Sequence, residues 1–186
     1  LLVKQFQTAI ARDNAIFLNL DRAEYGRPGQ ADIALELAIV VAASLAHHMI
    51  AFEGLPAGLV TRGNDPLTET VRTFNLPPAK GRGQLMQILE VLARIEGSDE
   101  TLFIKLLQQQ AVHLPWGTTI IIISAGQSRQ LLDIALLLKR SGFQVTLVLI
   151  QPAAYIYPQL KRVENMGLST FLIKREKDIE AWLPTA

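Results

Sequence analysis

Residues 118–124, Thr-Thr-Ile-Ile-Ile-Ile-Ser, are apolar or β-branched at every position before the closing serine. A strand with one wet face alternates apolar and polar residues, so an unbroken run predicts a strand covered on both faces, as in the middle of a parallel sheet. A second run, QVTLVLI (144–150), has the same character. Between the two, SAGQSRQ (124–130) reads as a loop leading into a helix of Leu131, Leu132, Ala135 and Leu138, with Gly142 placed to cap its end. The unit repeats after Pro152 with a helix near 153–166, Gly167, a strand STFLIKR (169–175) and a short terminal helix.

The first half of the chain supplies the other side of such a sheet. NAIFLNL (14–20) reads as a strand and DRAEYGRPGQ (21–30) as a loop. From Ala31 to Phe52 apolar residues recur at helical spacing with Ala, Ile or Val on the opposite face, which predicts a helix buried nearly all round. PAGLVTRG (56–63) predicts a strand ending at Gly63, and after an Asn-Asp-Pro turn the alternating ETVRTFNL (69–76) completes an edge hairpin. Helices are expected over 81–97 and from Thr101 to about His113. The expected fold is α/β: three layers, a doubly wound, mostly parallel sheet of Rossmann-like type with an edge hairpin strand, one domain over residues 1–186.

Composition agrees with strands buried on both sides: 49% of the residues are apolar and the mean hydropathy is +0.24. Lys and Arg number 18 against 17 Asp and Glu, so no long-range field favours nucleic acid or an anionic membrane. The absence of cysteine excludes disulfides, thiolate nucleophiles and cysteine-ligated zinc, and suits the cytoplasm. The apolar run between Glu36 and Glu53 is shorter than a membrane span and carries His47 and His48, so it reads as a core helix. The apolar start at Leu1 reads as the beginning of a fragment from a longer protein.

The segments VKQFQTAIARDNAIFLNLD (3–21), ALELAIVVAASLAHHM (34–49), LPAGLV (55–60), GRGQLMQILEVLARI (81–95) and TTIIIISAG (118–126) resemble the bacterial family known as domain of unknown function 58. The likeness covers roughly residues 1 to 150. It implies a von Willebrand factor type A-like fold in the C-terminal part of a longer, often membrane-anchored protein, and a MoxR-type AAA+ ATPase as partner. Type A domains that bind metal place Asp-x-Ser-x-Ser after the first strand, a Thr in a later loop and an Asp after the central strand. Carried over, these become Asn19-x-Asp21-x-Ala23, Thr101 and Ala125. Mg²⁺ prefers hard oxygen donors in octahedral array, and no anionic residue stands at Ala125. The resemblance therefore implies a degenerate adhesion site holding at most a weak Mg²⁺ on Asn19, Asp21 and Thr101. Asp99 and Glu100 are the carboxylates able to make good the loss if their loop turns inward.

Other signals are weaker. His47 and His48 are adjacent and point about 100° apart on a helix, too far to share one ion; one is expected at the core and one at a rim. His113, ending a helix, is placed to meet its last carbonyls. Ser124, Gly126, Gln127 and Ser128 lie at a strand-to-helix turn able to bind an anion, but Gln127 or Ser128 capping the helix is the favoured reading. No Walker, G-x-G-x-x-G or G-x-S-x-G sequence occurs. The leading expectation is a monomeric, non-enzymatic protein-interaction module whose contact face is Asn19, Asp21, Arg62, Thr101 and Ala125. The competing one is a small-molecule or phosphate-binding protein, conceivably a hydrolase, with its ligand near Ser124 to Ser128.

Overall fold

The run at 118–124 forms strand β4 (Thr119–Ser124), hydrogen-bonded on both sides to parallel strands, β1 (Asn14–Leu18) and β5 (Gln144–Ile150). The computed structural model describes residues 12–26, 29–99, 102–125 and 128–180. Within them β2 (Ala57–Asp65), β3 (Thr70–Ala79) and β6 (Ser169–Ile173) complete a six-stranded sheet in the order β3-β2-β1-β4-β5-β6. Only β3 runs antiparallel to its neighbour.

Alternate side chains of the central strands fill two different cores. Ile121 and Ile123 join Ile16 and Leu18 against helices α1 (Gln30–His47) and α2 (Arg82–Arg94). Ile120 and Ile122 join Phe17 against α3 (Phe103–Ala111), α4 (Arg129–Arg140) and α5 (Tyr157–Asn165) on the opposite face. This is why the strand sequences show no polar alternation: both faces are dry. A short α6 (Lys177–Glu180) ends the described chain.

Helix α1 continues through one π turn, His48–Phe52, so the helical run is as long as its spacing predicts. By length and composition alone it could cross a membrane, but Ala38, Val41, Ala42 and Ala46 are fully buried against the sheet, as a core helix requires. His47 is exposed and His48 half-buried beside Glu53, with Nε2 and Oε1 3.2 Å apart. His113 is exposed, and its backbone N–H donates to Gln110 O.

Three element ends differ from expectation. β2 passes Gly63 to Asp65 because Glu96, in the segment after α2, exchanges two backbone bonds with Asn64, of 3.0 and 2.9 Å. β3 runs through Pro77 and Pro78, which an edge strand tolerates, past a bulge opposite Ala57 and Leu59. β6 stops at Ile173 because the N–H groups of Lys174 and Arg175 turn to Asp178 Oδ2, at 2.8 and 2.9 Å.

Candidate functional site

Strands β1 and β4 are neighbours whose onward connections lead to opposite sides of the sheet, so the crevice beyond their C-terminal ends is the topological switch point, where open α/β sheets bind ligands. Asn19 and Ser124 meet there, because Leu18 pairs with Ile123 and the Asn19 N–H donates to Ile123 O at 2.9 Å. The segment after α2 closes over the same end. Ser98 bridges Asp21, its N–H donating to Leu20 O and its carbonyl accepting from Arg22 N, both at 2.9 Å.

Asn19 is fully buried and organises the crevice. Its Oδ1 accepts from the Asp21 N–H at 3.0 Å, which fixes the amide so that Nδ2 points the other way. Nδ2 donates to Glu24 Oε2 at 2.9 Å and to Ser124 Oγ at 3.0 Å. Ser124, also fully buried, donates in turn to Glu24 Oε2 at 3.2 Å. Tyr25 closes the network from below, its hydroxyl donating to Asn19 O at 2.6 Å. Asp21 caps the 3-10 turn Arg22–Glu24 through Oδ1, which accepts from Ala23 N at 3.1 Å.

Two carboxylates share this small volume. Burial raises the Glu24 pKa, the bond from Ser124 opposes it, the charge of Asp21 adds to the rise, and the bond from Asn19 lowers it again. Asp21 is raised for the same first reason, against its bond from Ala23 and with a further push from Asp99. The Tyr25 hydroxyl lies well above its usual range because it is buried and faces both acids.

The sequence-derived contact face is thus partly assembled. Of that face Asn19, Asp21 and Ala125 come together, all three buried, beside Ser124 of the alternative anion site. Arg62 would continue the β1–β2 register to lie opposite Asn19, but its Nη1 donates to Thr73 Oγ1 on β3 at 3.3 Å, so it stands beside the crevice. Asp99 is exposed at the rim. Ser128 occupies the N-cap position of α4 without a side-chain capping bond, a departure from the expected cap. Thr101, Glu100, Gly126 and Gln127 lie outside the described residues.

Among the described residues the donor at the first ligand position does not suit Mg²⁺. At the position of the first metal ligand Asn19 presents an N–H group, aimed at Glu24, where the ion needs an oxygen. Among the described residues no three His, Asp or Glu side chains gather around one point. Glu24 was not singled out by sequence reasoning, yet its carboxylate takes the place at the centre of the crevice. A phosphate entering beside Ser124 would meet that carboxylate and Asp21, two groups that repel it.

A mostly parallel sheet in this strand order, with one antiparallel edge strand and helices on both faces, is a von Willebrand factor type A-like fold. The chain is similar to an aerotolerance-related membrane protein from Bacteroides fragilis carrying multiple mutations to serine, with a TM-score of 0.58 and 13% identity over 91% of this chain and 94% of that one. It is also similar to the pilus adhesin SpaC from Lactobacillus rhamnosus GG (TM-score 0.58, 15% identity, 95% of this chain and 30% of that one). A von Willebrand factor type A structure from Catenulispora acidiphila gives a TM-score of 0.56 at 12% identity over 92% of this chain, which spans 41% of that one. No protein-family model and no curated protein matches the chain.

Proposed function

We propose that this chain is a non-enzymatic protein-interaction module of the domain of unknown function 58 type, whose top face, the exposed Arg22, Ala23 and Asp99 above Asn19, Asp21 and Glu24, contacts a protein partner without a metal ion. One observation carries the reading: Asn19, at the position of the first metal ligand of a type A domain, is bonded through its amide N–H to Glu24 and Ser124, which are bonded to each other. Among the described residues, a crevice bonded in this way turns the Asn19 amide N–H, not its oxygen, toward the centre. What remains for recognition is its exposed rim, Asp99 with Ala23 and Arg22. The segment resemblance supports a MoxR-type AAA+ ATPase as the partner, by association and not through a particular residue. The Bacteroides neighbour is described as a membrane protein; we place this domain on the cytoplasmic side of a longer, membrane-anchored chain.

The test is biolayer interferometry of the purified domain against the MoxR-type ATPase of the same genome, in EDTA and in Mg²⁺. Binding in both buffers, lost in Ala23→Arg and Asp99→Lys, supports the proposal. No binding, or binding abolished by EDTA while the domain stays folded, sinks it.

A further inference from the structure

Helices α4 and α5 cover the same core but do not close on each other: α4 packs on α3 and β5, α5 on β6 and the turn before it. Between them lies a cavity of about 700 Å³ with Leu136 on its wall and Leu132 and Val163 at its floor. Two apolar side chains at its edge face water, Leu137 at 57% and Met166 at 41% exposure. Arg129 and Arg140 stand at the two ends of α4 and Arg162 on α5, with Asp133 the single acid of the lining. Among the described residues none of these guanidiniums is in an ion pair. Three cations against one acid leave the rim positive, in a chain whose charges otherwise nearly balance.

We propose that the α4–α5 groove docks an amphipathic helix of a partner protein, with an apolar stripe facing Leu136, Leu137 and Met166 and acidic residues along its edges facing Arg129, Arg140 and Arg162. The groove walls are helices whose backbone groups are bonded internally, so an extended peptide would gain no main-chain bonds there, whereas a helix brings its own backbone already satisfied. Charge selects the acidic edge, since unpaired arginines at a rim favour carboxylates and speed encounter with them. A lipid surface fits less well: the arginines are spread along a concave groove and interrupted by Asp133, not clustered on a flat basic face. This surface runs along the helical flank from Arg129, near the top face, to Arg140, and does not depend on what binds in the crevice.

The experiment is fluorescence polarisation of the whole chain with a labelled helical peptide of about 14 residues, long enough at about 1.5 Å per residue to run the length of α4. Its apolar stripe is leucine and its edges glutamate; a second peptide carries lysine edges instead. Saturable binding of the acidic peptide is expected. It should weaken about tenfold in Leu137→Glu and in Arg162→Glu, fall with added salt, and stay unchanged in the top-face variant Ala23→Arg. Both groove substitutions are at exposed positions, and unchanged melting temperatures show that they fold. No saturable binding, equal binding of the lysine peptide, undiminished binding by the groove variants, or preferential binding to phosphatidylglycerol vesicles overturns the proposal.

Discussion

Asn19 serves three partners from a position with no access to water, so its replacement is a sensitive test of the crevice. Asn19→Ala leaves the Asp21 N–H without its acceptor and removes the amide's bonds to Glu24 and Ser124, and should cost about 2–4 kcal/mol in urea unfolding. Glu24 makes the same network dependent on pH. Its pKa is raised above the usual 4.5, first by burial, so the folded chain holds this proton more tightly than the unfolded chain. The stability it contributes is therefore complete below 4.5 and is lost as pH rises through the folded value, and Asp21 acts in the same direction from 3.8. Urea midpoints should fall as pH rises above about 4.5, and Glu24→Gln should flatten that fall; an equal slope in the variant would assign the dependence to other groups. Asp178, lowered by the N–H groups of Lys174 and Arg175, acts oppositely and only on the acid side of 3.8. Of this site the sequence revealed Asn19, Asp21 and Ala125, because the resemblance supplied their spacing. Glu24 escaped because it sits in a loop without periodicity; the Asp21-x-x-Glu24 spacing, read as a capping box, was the signal that could have found it.

At the scale of elements, the edge hairpin is pinned to α2 by one buried acid. Asp65, 1% exposed, accepts from Leu67 N and faces Arg72 at 3.3 Å and Arg94 at 3.6 Å. Both guanidiniums lie over the Phe74 ring, about 5.5 Å from its centre. Asp65→Ala leaves Arg72 over the ring without its counter-charge and Arg94 with only the exposed Glu90, and removes the turn's acceptor; the expected loss is about 2–3 kcal/mol, less than for a fully buried pair because Arg72 is half exposed. Gly58→Ala should destabilise by a similar amount, about 2 kcal/mol, since its Cβ would stand 2.5 Å from Leu76 O and 2.7 Å from Pro78 N and would push β3 off β2. Denaturant midpoints measure both. The hairpin itself was legible in the alternation of 69–76, and the central strands in their unbroken apolar runs. Its ends were not, because β2 is prolonged by backbone bonds to Glu96, an encounter between segments that no local pattern encodes.

For the whole molecule, the fold and its crevice lead to different expectations about metal, and mass action makes the difference measurable. A ligand present below its dissociation constant stabilises the folded chain by less than about 0.4 kcal/mol. In a chain of this length such a gain moves the melting temperature by only about 1 °C. With Asn19 presenting N–H to Glu24 and Asp21 bonded to Ala23, a bound Mg²⁺ would first have to break the network that orders the top of β1 and β4. Millimolar Mg²⁺ or Mn²⁺ should therefore leave the melting temperature of the chain and of Asp21→Ala equally unmoved, and isothermal titration should register no heat of binding in either. A shift of several degrees that disappears in Asp21→Ala would mean that the amide and Glu24 swing aside to admit the ion, and the top face would then be a metal-dependent adhesion site after all.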